Sequence, residues 1–150
     1  MTTLSIPPLT EAEIGVLARE WYHKLDIHAP MVELLPMLAD EGLEMVFPEA
    51  TVAGHAGFEG WYQTVIRVFF DEQHTVKTVK LLSADPGKAA QVQVVVHWEA
   101  SVWKPPAAGS ERLAMDADQT WEVGRDAQGK AVIVRYVVNG MTYDEGSAHL

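Results

Sequence analysis

His55 is the side chain best placed by sequence to move a proton. It stands directly after Gly54 and directly before a helical run of aromatic residues. In the first turn of that helix, the positive end of the backbone dipole disfavours imidazolium by about 0.3–1 kcal/mol, so a neutral ring could take or give a proton near neutral pH. A base also needs an orienting partner, which Tyr22 or Gln119 would supply. Tyr22, Tyr62 or Gln119 would then hydrogen-bond the oxyanion that proton abstraction creates. The competing reading of His55 is a capping or loop-anchoring histidine. The rings of Trp21, Phe58, Trp61, Tyr62, Trp98, Trp121 and Tyr136 suit a pocket for an apolar or ring-shaped ligand, or they simply fill the core.

Other chemistries lack their parts. The 150 residues include no cysteine, so disulfides, thiolate metal sites and a cysteine nucleophile are excluded. There is no Gly-x-Ser-x-Gly elbow, phosphate loop or dinucleotide fingerprint, so no cofactor is expected. His97 and Glu99, with Asp116 and Asp118 across the sheet, resemble a nitrogen and oxygen ligand set. Their strand parity puts them on the outer face, where a charged dimer surface paired to Arg135 is the favoured reading, and no metal is expected. His23 and His28 read as surface residues. With 21 acidic and 11 basic side chains the net charge is −10, which argues against nucleic acid or an anionic membrane as partner. No apolar run reaches the ~18 residues of a membrane span, and Met1–Pro8 lacks the pattern of a signal peptide, so a cytoplasmic protein is expected.

The elements that must position these residues follow from periodicity. Thr10 and Glu13 have capping-box spacing, and Ile14, Leu17, Ala18, Trp21, Tyr22 and Leu25 continue at helical spacing to about Asp26. A second helical stretch, Met31–Ala39, contains Pro36, which should split or kink it. A short strand, Gly42–Phe47, and a turn-rich segment precede the aromatic helix, and strands are expected at His74–Ser83, Ala90–Val102, Arg112–Val123 and Ala131–Val138. Alternation turns Leu113, Met115, Ala117, Gln119, Trp121 and Val123 inward, and leaves Asp116, Asp118, Thr120 and Glu122 outward. On the last strand it turns Val132, Val134, Tyr136 and Val138 inward. Helices first and hairpin-linked strands second make a single α+β domain over residues 1–150, with residues 1–9 and 144–150 as peripheral tails.

This order of elements resembles the nuclear transport factor 2-like superfamily, which includes ketosteroid isomerases and SnoaL-like polyketide cyclases. The resemblance is carried by Ala18-Arg19-Glu20-Trp21-Tyr22, Leu38-Ala39-Asp40-Glu41-Gly42, Gly54 and Gly129-Lys130-Ala131-Val132-Ile133-Val134-Arg135. It implies a cystatin-like cone, three helices on a curved antiparallel sheet around an apolar cavity, and a homodimer formed through the outer sheet face. It also implies an acidic catalytic residue on the strand that holds Asp118, although parity turns Asp118 outward unless a β-bulge intervenes. The place of the isomerases' proton-abstracting carboxylate falls at Phe47, which argues against ketosteroid isomerisation. Three functional readings stay open: a small-molecule-binding, cofactor-free isomerase, dehydratase or cyclase using His55, Tyr22 and Asp118; a non-catalytic ligand-binding or dimeric assembly module; and, ranked last, the small subunit of a larger oxygenase that the resemblance also allows.

Overall fold

The computed structural model describes residues 7–150; the first six residues of the expected N-terminal tail lie outside them. The capping box forms as expected. Thr10 Oγ1 accepts from the Glu13 N–H at 3.1 Å and starts helix α1, Glu11–Asp26, which buries Ile14, Leu17, Ala18, Trp21 and Tyr22. After one turn of helix α2, Met31–Leu34, the chain tightens into a single turn over Leu35–Met37, because Pro36 has no N–H to continue an α-helix. Strands β1, Glu44–Val46, and β2, Thr51–Ala53, form a small hairpin; the second is a strand where a turn was expected. Gly54 then turns the chain with φ +69° into helix α3, Gly54–Val68.

The long strands are β3, Phe69–Ser83; β4, Ala90–Val102; β5, Glu111–Arg125; and β6, Ala131–Tyr143. All six strands form one sheet in the order β2-β1-β6-β5-β4-β3. It is mixed rather than wholly antiparallel, since β1 runs parallel to β6. The sheet is curved and unclosed, and the helices pack on it to make the α+β cone. Register shifts on β3 and β6 supply local kinks for that curvature.

Parity on β5 is as expected: Leu113, Met115, Ala117, Gln119, Trp121 and Val123 are all buried. On β6 it fails at the start. Val134 is an extra residue between the Glu122↔Arg135 and Val123↔Ile133 pairs, so Ile133, expected outside, joins the main core. Beyond Val138 the strand continues to Tyr143, and the segment after it lies against the start of β5. There Ala114 N–H donates to Ser147 Oγ at 2.8 Å and Ala148 N–H to the Arg112 carbonyl at 2.9 Å.

Candidate functional site

The mouth of the cone opens on a cavity of about 290 Å³, near the lower end of the usual range for small-molecule pockets. Its walls are mostly apolar, formed by α3, the concave face of the sheet and Phe47-Pro48-Glu49 after β1. Phe47 stacks on Trp61 with ring centroids 3.9 Å apart, and Trp61 Nε1 donates to Glu49 Oε1 at 3.0 Å, which ties this loop to α3.

One side of the cavity carries a part-buried imidazole–carboxylate pair. Asp26 ends α1 and His74 lies near the start of β3. His74 Nδ1 stands 2.5 Å from Asp26 Oδ1, and the backbone N–H of His74 donates to Asp26 Oδ2 at 2.9 Å. The side chains are 9% and 16% exposed, so the pair is largely screened from water. A carboxylate only accepts, so Nδ1 carries the proton, and in the neutral form of the ring the lone pair lies on Nε2. Tyr22, one turn before Asp26 on the same helix face, stacks on the His74 ring at 4.7 Å, and Trp98 stacks on it at 5.4 Å and 6°. These two rings and the Asp26 bond together restrict how the imidazole can turn. An acidic residue in the last turn of a helix opposes the helix dipole. Asp26 therefore serves His74 rather than α1.

The backbone of β3 explains why His74 faces inward. Asp71 and Glu72 stand opposite the single residue Ala100, between the Phe70↔Ser101 and Gln73↔Glu99 pairs. This bulge, with Asp71 at φ +51°, shifts the alternation by one residue and turns Glu72 and His74 toward the cavity that Phe69 also lines. Glu72 lies against His28, whose Nε2 is 2.6 Å from Glu72 Oε2, and accepts from Trp98 Nε1 at 3.2 Å. His28 is thus paired with a cavity carboxyl rather than being a plain surface residue. Burial raises the Glu72 carboxyl above its ordinary range, against the opposing pull of His28 and His74.

A second polar group closes the floor. Gln119, 1% exposed, donates through Nε2 to the Tyr22 hydroxyl at 2.8 Å, and that hydroxyl stands 2.9 Å from the Tyr136 hydroxyl. Burial pushes both phenols well above their ordinary range, so they stay protonated and act as hydrogen-bond donors. Tyr62 is pushed up to about 12, first by burial and then by the charge of Glu72, and its hydroxyl donates to the Ala29 carbonyl at 2.7 Å.

No family model matches this sequence, and no curated protein matches it. Solved structures do. A proposed aromatic ring hydroxylase from Novosphingobium aromaticivorans superposes with a TM-score of 0.75 at 15% identity, over 89% of this chain and 92% of its own. A ketosteroid isomerase-like protein from Erwinia carotovora atroseptica gives 0.66 at 17%, over 88% and 94%. The hexachlorocyclohexane dehydrochlorinase LinA-type3 from Novosphingobium barchaimii gives 0.69 at 18%, over 93% and 92%. This chain has the nuclear transport factor 2-like fold.

Within that cone, the residues singled out from sequence fall into three groups. Tyr22, Trp61, Tyr62, Trp98, Gln119 and Tyr136 line the cavity. Trp21, Phe58 and Trp121 are fully buried behind them: Phe58 packs on Trp21, Trp61 and Tyr62, and Trp121 on Tyr22 and Tyr136. His55 and Asp118 stand away from the cavity. His55 Nε2 donates to the Ala39 carbonyl at 3.0 Å and pins the turn before β1. Asp118 is exposed on the outer face and accepts from Gln93 at 3.0 Å; the bulge beside it falls on β6, at Asn139, and leaves its own parity intact. His97 and Lys77 both bond to Asp116 on that face, at 2.8 and 2.7 Å. The sequence reading missed Asp26, His74 and Glu72. The only local signal was the change from helical to extended periodicity near His74.

Proposed function

We propose that this chain is a cofactor-independent lyase or isomerase that binds a small apolar or aromatic carbonyl compound and moves a proton from it. The observation that carries this reading is the part-buried Asp26–His74 pair, whose His74 lines the cavity and stacks with Tyr22 and Trp98. His74 Nε2 takes the proton from the carbon next to the carbonyl. Asp26 holds the ring in the right tautomer and stabilises the imidazolium that forms. The developing oxyanion is met by the hydroxyl of Tyr136, with Tyr22 and Gln119 holding that phenol in place. In this reading His55 anchors a loop. The likeness to an isomerase-like protein and a dehydrochlorinase supports this kind of chemistry without naming the substrate.

The test uses a methyl ketone with a para-nitrophenoxy group on its β carbon, which releases coloured nitrophenolate once its α proton is removed. Wild type should turn it over. His74→Gln should lose about 10²–10⁴-fold in rate, the usual worth of a positioned base. Equal turnover by His74→Gln and wild type would sink the reading.

We further propose a homodimer through the outer sheet face, supported by half-buried Val95 and Val137 and exposed Trp103. Sedimentation at micromolar concentration tests it; a monomer for wild type would count against it.

A further inference from the structure

A second imidazole–carboxyl pair stands next to the first. Glu72 and His74 are two apart on β3, while Asp26 and His28 are two apart where α1 ends, and the pairs join across: Asp26 with His74, His28 with Glu72. Among the described residues the only non-glycine positions with positive φ are His28, at +50°, and Asp71, at +51°. One presents the His28 ring to Glu72 and the other is the bulge that turns Glu72 inward. Two left-handed residues, on separate segments, converge on one carboxyl. Backbone strain of this kind persists where the surrounding structure holds it, commonly at functional sites.

We propose that Glu72 is the second proton-transfer group of the cavity, protonating a departing oxygen while His74 takes the proton from carbon. This rests on the reading of His74 above and narrows the substrate to a ketone with a hydroxyl or ether oxygen on its β carbon. His74 Nε2 accepts the α proton, the electron pair of that C–H bond forms the C=C bond, and the C–O bond breaks. The departing oxygen takes the proton of Glu72 and leaves as water or an alcohol. The enzyme is left with His74 as imidazolium and Glu72 as carboxylate, and one proton passed from the first to the second restores both.

The surroundings of Glu72 fit the task. Its side chain is 9% exposed and lines the cavity, and the groups around it are His28 after α1, Tyr62 on α3, His74 on β3 and Trp98 on β4. His28, 29% exposed, joins the carboxyl to solvent. The same burial that raises the Glu72 carboxyl makes it a better proton donor near neutral pH.

The experiment compares two β-substituted methyl ketones, one losing phenol and one losing para-nitrophenol. Nitrophenolate departs without a proton, whereas phenolate needs one. Glu72→Gln should slow the phenoxy ketone about 10²-fold or more and the nitrophenoxy ketone less than about tenfold. Retained activity on the second compound shows that the variant is folded. Equal slowing of both overturns this proposal and leaves the role of His74 standing. No turnover of either by wild type overturns the role of His74, and this proposal with it. If Glu72→Gln loses its folded circular dichroism, the ratio is read on His28→Gln; a rise supports the proposal and an unchanged ratio overturns it.

Discussion

Asp26 and His74, 48 residues apart in the chain, are joined twice: one carboxylate oxygen meets the ring and the other meets the backbone N–H of the same histidine. The second bond fixes where β3 passes α1, so the carboxylate both positions the strand and sets the imidazole tautomer. Asp26→Asn keeps an acceptor but loses the charge opposite a forming imidazolium. It should lower turnover of the nitrophenoxy ketone while leaving the melting temperature nearly unchanged. A variant with full activity would show that the charge does nothing for the reaction.

The Gln119–Tyr22–Tyr136 network couples stability to the cavity floor. Tyr22→Phe leaves the buried Gln119 amide without its partner, at a cost of about 1–3 kcal/mol. Gln119→Leu in the same background should recover part of that loss. Denaturant unfolding of the two single variants and the double variant gives the coupling directly; simple additivity would contradict the network.

Asp71 tests the bulge. Valine at φ +51° costs about 1–2 kcal/mol in the left-handed region, and glycine meets no steric penalty there. Asp71→Val should therefore melt lower and lose activity, while Asp71→Gly keeps both. Equal behaviour of the two would mean that the bulge does not depend on this backbone conformation.

Arg125 grips Glu13 with two bonds, at 2.9 and 3.1 Å, and this holds the Glu13 carboxyl below its ordinary range. A lowered folded-state value favours the ionised form, so the stabilisation is present at neutral pH and is lost as pH falls through the folded-state value, below the ordinary carboxylate range. Glu13 is 42% exposed, so solvent screening limits the pair to less than about 1 kcal/mol. Glu13→Gln keeps Thr10 as the cap and should unfold slightly more easily than wild type at neutral pH, with the gap narrowing as the pH falls below the ordinary carboxylate range. A gap that widens on acidification would reverse the sign.

Much of this fold was legible because its signals are local. Thr10 with Glu13 marks the start of α1, Pro36 breaks the second helix, and unbroken alternation on β5 placed six inward side chains, Gln119 among them. The candidate site was less legible because it depends on register. Asp71 and Val134 each add one residue to a strand, and no period-2 pattern shows where such an insertion falls. Asp26 looked like the end of a helix and His74 like the start of a strand; only tertiary packing brings them together. His55, by contrast, stands at the helix start as expected but spends its nitrogen on Ala39.

His74, with its proton on Nδ1 and its lone pair on Nε2, is the base we propose for the cavity. Nitrogen NMR of the labelled protein, with and without para-nitrophenol as a cavity ligand, tests it most directly. The expected spectrum has a neutral-ring Nδ1–H signal for His74 that Asp26→Asn displaces, and an Nε2 resonance that moves when the phenol binds. A proton on Nε2 in the neutral ring, or an Nε2 resonance indifferent to the bound phenol, would contradict it.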